Sequence, residues 1–144
     1  EWSLVLIGKI AADVTMLTCL SNVYFPGEKP YRELPLYSRF FDAAIIPYNT
    51  QDMRMQTVNP TKLKQYLASG LAVVSVDLPE TRAYQDVISI AKDKDEFIHC
   101  LENVLENDTV ELREKRKRRV EPETWERKVE EISRIVEDAI RRKE

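Results

Sequence analysis

"NPTKLKQYLASGLAVVSVDLPE", residues 59–80, puts a proline and a lysine at the opening of a helical pattern, a glycine at its close and an apolar run directly after it. Pro60 suits a first helical turn, Gly70 is a stop signal, and "AVVSV" (72–76) is the β-branched run of a strand covered on both faces. A helix feeding straight into a buried strand is half of a strand–helix–strand unit. The remaining sequence repeats that unit. "SLVLIG" (3–8), "NVYF" (22–25), "DAAIIP" (42–47) and "VISIA" (87–91) are nearly unbroken apolar runs, and helical stretches fall around 13–20 and at 31–41, 61–69 and 79–84. This alternation predicts a doubly wound α/β domain with a mainly parallel sheet and right-handed crossovers.

The last third changes character. In 94–107 the apolar residues Phe97, Ile98, Leu101, Val104 and Leu105 recur at helical spacing, as do Trp125, Val129, Ile132, Ile135, Val136 and Ile140 in 121–143. Helices over 94–143 are therefore expected to pack on the same domain. With 144 residues, 43% apolar content and a net charge of −3, one domain over 1–144 is expected. No apolar run approaches the roughly 20 residues that cross a bilayer, and the start at Glu1 and Trp2 shows no basic-then-apolar leader. A cytoplasmic location is expected.

Several side chains invite a functional reading and receive a plainer one. Cys19 and Cys100 have no CxxC partner or histidine cluster, so buried free thiols are expected and a metal site is not. His99, the only histidine, lies within the 94–107 helix, away from any motif. Tyr24, Phe25, Tyr31, Tyr37, Phe40 and Phe41 fall on strand and helix positions, which favours core positions over a nucleic-acid stacking platform. The run "REKRKRR" (113–119), set among Glu111, Glu114, Glu121 and Glu123, reads as a solvated helix face, with contact to an anionic membrane surface as the alternative.

The opening stretch carries the chemistry. Asn59 is placed to cap the helix, Pro60 has no N–H to leave unpaired, and the remaining free amides lie at the positive end of the helix dipole. Lys62 adds a full charge, and the helix starts after a strand, at the edge where open α/β sheets bind ligands. The competing reading is a capped helix whose lysine is merely solvated. Gly8 closes the first strand at the same edge, while the GxGxxG and GxxxxGK(S/T) fingerprints are both absent.

Taken together, "LVLIG", "NVYFPGEKPYRELPLYSRFFDAAIIPY", "NPTKLKQYLASGLAVVSVDLPETRAY" and "TWERKVEEI" resemble the carboxyl-terminal, nucleotide-sugar-binding domain of bacterial GT-B glycosyltransferases of the family 4 type. The likeness is strongest to members of polysaccharide or teichuronic acid biosynthesis built around an Asn-Pro-x-Lys-Leu-x-Glu-Tyr-Leu-Ala-x-Gly core. The resemblance implies a Rossmann-like fold and the donor-binding half of a retaining-type, metal-independent hexosyltransferase. Such an enzyme moves a sugar from a nucleotide diphosphate sugar to a saccharide or lipid-linked acceptor. No cofactor is implied, since the nucleotide sugar is a substrate.

The same resemblance implies donor-binding roles for Gly8 and Lys9 at the end of the first strand, and for Thr57, Asn59, Thr61, Lys62 and Gln65 around the motif helix. It assigns no catalytic residue here. Thr57 and Gln65 stand where the wider family carries two glutamates, so weaker or altered donor binding is expected. The family's domain opens with a further, central strand that nothing before Glu1 supplies; 3–8 and 42–47 are expected to close up and pair directly. The family's amino-terminal, acceptor-binding domain is an implied partner, and the isolated chain is expected to be inactive. A position at the inner face of the membrane would suit a lipid-linked acceptor. The uncharged Thr57 and Gln65 favour an alternative from another class, a non-catalytic α/β module kept for protein contacts.

Overall fold

The computed structural model describes residues 2–142. Lys143, the expected end of the last helix, lies outside the described residues. The chain divides into two compact units, 1–39 and 40–144. Among the described residues five strands form two parallel sheets, one in each unit.

In the first unit, β1 (Leu4–Ile7) pairs in parallel with β2 (Val23–Gly27), Leu4 opposite Val23 and Ile7 opposite Gly27, with an irregularity between Val5 and Ile7. The crossover carries one helical turn, α1 (Thr15–Thr18), opened by Asp13, whose carboxylate accepts from the Thr15 amide and hydroxyl at 2.9 and 2.6 Å. A 3-10 turn (Tyr31–Glu33) and α2 (Leu34–Ser38) follow. No apolar side chain of this unit is fully buried among the described residues. Tyr24 and Tyr31 are mostly exposed, as is Phe40, the first residue of the second unit, so the expected core role of these rings is corrected. Their spacing marks a face without stating what covers it.

The second unit holds the core. Strands β3 (Ala43–Ile46), β4 (Ala72–Val76) and β5 (Ser89–Ala91) lie in sequence order, all parallel, with Ile46 opposite Ser75 and Val76 opposite Ala91. Central β4 is buried from Ala72 to Ser75, as its nearly unbroken apolar run requires. On one face Ala44, Ile46 and Val73 meet Leu63 and Leu67 of α3 (Thr61–Ala68), with Leu71, Tyr84 and Val120 closing the cluster. Helix α5 (Lys94–Asn107) runs against all three strands, and Ala72 and Val74 are equally buried on the face their alternation gives them. The expected pairing of 3–8 with 42–47 is not observed; each of those strands pairs with its successor in sequence. Short crossovers favour sequential partners.

The segment 79–84 supplies α4 (Pro79–Arg82), and the basic run lies on α6 (Val110–Val120). Its charges are structural. Arg116, 6% exposed, bonds the Asp108 carboxylate at 2.5 Å and the Gly70 carbonyl at 3.1 Å, while Arg113 takes the other Asp108 oxygen at 2.8 Å. Lys115 donates to the Asp86 carbonyl, Arg119 to the Ala83 carbonyl while lying over the Tyr84 ring, and Lys117 to Glu114. The solvated-face expectation is thus corrected for Arg116.

A 3-10 turn (Glu121–Glu123) leads to α7 (Trp125–Arg141), opened by Thr124, whose hydroxyl accepts from the Arg127 amide. Packing was expected of its apolar residues, yet the described helix is exposed along its whole length. Cys19 is exposed and Cys100 half-buried, both free, so two fully buried thiols are not found. Among the described residues no helix is long and apolar enough to cross a membrane.

One contact beside α7 has a pH consequence. Lys64 bonds Glu123 at 3.2 Å, and that hydrogen bond holds the Glu123 carboxyl below the usual glutamate range against the opposing effect of burial. A depressed folded pKa contributes stability above the unfolded value, about 4.3, and loses it as pH falls through the folded one. Thermal melts from pH 6 to 3 are expected to show a slightly steeper acid loss for the parent than for Glu123→Gln; parallel curves would show that the pair contributes nothing.

Candidate functional site

The site is built around the start of α3. After Ile46 the chain leaves the carboxyl end of β3 through Pro47 and Tyr48, turns once as a 3-10 helix (Met53–Thr57) and enters α3 at Thr61. The helix cap differs from expectation. Pro60, buried and extended at φ −73° and ψ 93°, occupies the cap position itself, and its carbonyl accepts from the Leu63 amide at 2.8 Å. Asn59 is exposed and makes no capping bond, so its expected role is corrected. A proline cap offers no side-chain acceptor, so the Thr61 and Lys62 amides have no acceptor among the described residues.

Those amides open outward with exposed side chains. Thr61 and Lys62 are both exposed, and Gln65, half-buried, follows Thr61 by four residues on the same helix face. Thr57, also exposed, donates its hydroxyl to the Arg54 carbonyl at 3.2 Å. Thr57, Asn59, Thr61, Lys62 and Gln65 are thus brought to one loop and the first turns of one helix. Gly8 and Lys9 belong to the first unit, where the Gly8 amide donates to the Gly27 carbonyl at 3.0 Å and Lys9 is exposed. Gly8 takes φ 138°, a conformation that favours glycine.

The far end of α3 is fixed firmly. Gly70 takes φ 79°, its amide donates to the Leu67 carbonyl, and the Leu71 amide reaches back to the Tyr66 carbonyl at 3.0 Å. This paired closure satisfies two of the last helical carbonyls, and Leu71 drops into the core. Arg116 then bonds the Gly70 carbonyl, so the helix is held from behind while its amino end stays open.

One feature of the loop escaped the sequence reading. Asp52 caps the 3-10 turn by accepting from the Arg54 amide at 3.0 Å, and also receives the Arg54 guanidinium through Nε and Nη2 at 3.0 and 2.6 Å. Arg54 hydrogen bonds hold the Asp52 carboxyl below the usual aspartate range. The guanidinium, 86% exposed, is thus held in an ion pair three residues before Thr57. Only the two-residue spacing of Asp52 and Arg54 in a polar loop could have signalled it. The arrangement suits an anion: amides with no acceptor among the described residues at a helix start, and a lysine in the first turn.

No family model matches the chain. Over 89 residues, 59% of its length, it is 36% identical to the "Putative teichuronic acid biosynthesis glycosyltransferase TuaH" of Bacillus subtilis (strain 168). The match spans 22% of that protein's length. At this coarse level, the α/β architecture and the similarity together support a glycosyltransferase-like domain.

Proposed function

We propose that the chain is the donor-binding, carboxyl-terminal half of a GT-B glycosyltransferase, which transfers a sugar from a nucleotide diphosphate sugar to a saccharide or lipid-linked acceptor in polysaccharide biosynthesis. The open amino end of α3, with two amides that have no acceptor among the described residues and exposed Lys62 at the carboxyl edge of the sheet, carries this reading. The donor diphosphate would take the Thr61 and Lys62 amides, Lys62 would meet its charge, and Thr57 and Gln65 would offer hydrogen bonds to sugar and ribose hydroxyls. Gly8 and Lys9 enter through the sequence resemblance alone. The acceptor would be held by an amino-terminal domain of the parent protein. Contact of 113–119 with an anionic membrane surface would compete with the internal bonds of that run.

Titration calorimetry with UDP, GDP and ADP tests the proposal. Binding of at least one is expected; binding of none would favour the protein-contact module. Lys62→Ala is expected to weaken that binding by about 1–3 kcal/mol while leaving thermal stability unchanged, because it removes a charge-assisted contact from an exposed position. Equal affinity in variant and parent would remove Lys62 from the site. Gln65→Glu is expected to tighten binding by about 1 kcal/mol, since a carboxylate accepts hydroxyl hydrogen bonds more strongly than an amide oxygen. An unchanged constant would show that Gln65 does not face the ribose.

A further inference from the structure

We propose that a cleft at the amino edge of the second unit's sheet is a second anion site, where the Nε and Nη2 edge of Arg116 takes a small phosphate monoester. Arg116, 6% exposed, uses Nη1 for both of its bonds, to the Asp108 carboxylate and the Gly70 carbonyl. Its Nε and Nη2 have no acceptor among the described residues, and no fully buried side-chain nitrogen or oxygen there lacks a partner. Both atoms therefore keep a path to solvent. Arg116 lines a cleft of about 190 Å³ that reaches the first residues of β4 and β5 at Val73 and Ser89, and the pair opens there. Nε and Nη2 form one edge of the guanidinium with two parallel N–H bonds, a fork that fits two oxygens of one phosphate or carboxylate. Arg54 uses the same edge on Asp52.

Charge and size select the ligand. Asp86 and Asp108 line the cleft with Lys115 and Arg116, and each acid meets a further arginine, Asp86 with Arg119 at 3.5 Å and Asp108 with Arg113 at 2.8 Å. In this group four bases stand against two acids, a surplus that suits the roughly −2 charge of a phosphate monoester. Lys115 gives one N–H to the Asp86 carbonyl at 2.7 Å and keeps two for a third phosphate oxygen, which a carboxylate lacks. The cleft exceeds the ~150 Å³ that admits benzene and falls short of the roughly 300 Å³ where pockets for drug-sized ligands begin, so the ester carries a few carbons and no nucleoside. The Ser89 hydroxyl and Gln85 amide, in the same wall, make no side-chain hydrogen bond among the described residues and would meet hydroxyls on that body. The site lies at the opposite end of the strands from the start of α3 and does not rest on the donor reading.

Titration calorimetry of the 144-residue chain with glycerol 3-phosphate, inorganic phosphate and glycerate tests this. Glycerol 3-phosphate is expected to bind with a Kd at or below about 1 mM, at least about tenfold tighter than the other two. Arg116 is structural, so the variant is made at exposed Lys115. Lys115→Gln, which can still donate to the Asp86 carbonyl, should weaken binding at least about tenfold with the urea transition in place. Lys62→Ala should leave binding unchanged. In proton–nitrogen spectra the Arg116 Nε–H resonance, assigned through its own side-chain carbons, should move as the ester is added. No binding by the parent up to about 10 mM overturns the proposal, as does a loss with Lys62→Ala or none with Lys115→Gln. Glycerate or inorganic phosphate binding as tightly as the ester overturns the choice of ligand, and an unmoved Arg116 resonance overturns the fork.

Discussion

Arg116→Ala is expected to destabilise the chain by about 3–5 kcal/mol in urea unfolding, a large fraction of the total stability of a domain this size. The guanidinium is buried, and so is the carboxylate it meets, the Asp108 side chain being 7% exposed. Removing the arginine leaves Asp108 in a low-dielectric site with only Arg113, which places the loss toward the lower end of that range. It also strips the Gly70 carbonyl of its donor at the closing turn of α3. Removing both charges is a different experiment. The double variant Arg116→Met, Asp108→Leu should recover much of the loss, because an apolar pair of similar volume has no desolvation to offset. A single-variant cost below about 1 kcal/mol, typical of surface pairs, would show that the bond is solvated.

Arg116 also marks where sequence reading stopped. The strand at 72–76 and the helix at 94–107 were legible to the residue, because each signal is local: a β-branched run in one, and an apolar stripe opening after Asp93 in the other. Helix α6 was visible only as a charge run, since its deepest anchor is an arginine, the residue type that hydropathy assigns to solvent. The division into two sheets was not legible, because the apolar runs of β1 and β3 are alike and composition alone does not say which neighbour each strand takes. At the site, Pro60 and Lys62 announced a helix start, but whether Asn59 or Pro60 caps it depends on backbone angles that sequence does not fix. The fork between Asp52 and Arg54 likewise needs the folded loop.

The open front of α3 and its fixed rear make separable predictions, and Leu67→Ala tests the connection between them. Leu67 is 0% exposed, packed in the cluster that joins α3 to Ile46 of β3, Val73 of β4 and Val120 of α6. Truncation removes buried methyl groups and leaves a cavity among neighbours fixed on three elements, so a loss of about 3–5 kcal/mol is expected. Leu63, one turn earlier and equally buried, still ties the amino end of α3 to the sheet. In the fraction that remains folded, the amides of Thr61 and Lys62 should therefore stay near their places. Leu67→Ala should lower the urea midpoint sharply while nucleotide affinity, measured well below that midpoint, changes less than about threefold. Lys62→Ala should do the reverse, reducing affinity with the midpoint unmoved. If Leu67→Ala instead weakened binding as much as Lys62→Ala at full folding, the anion site would depend on the packing of the whole helix, and assigning it to the first turn would be wrong.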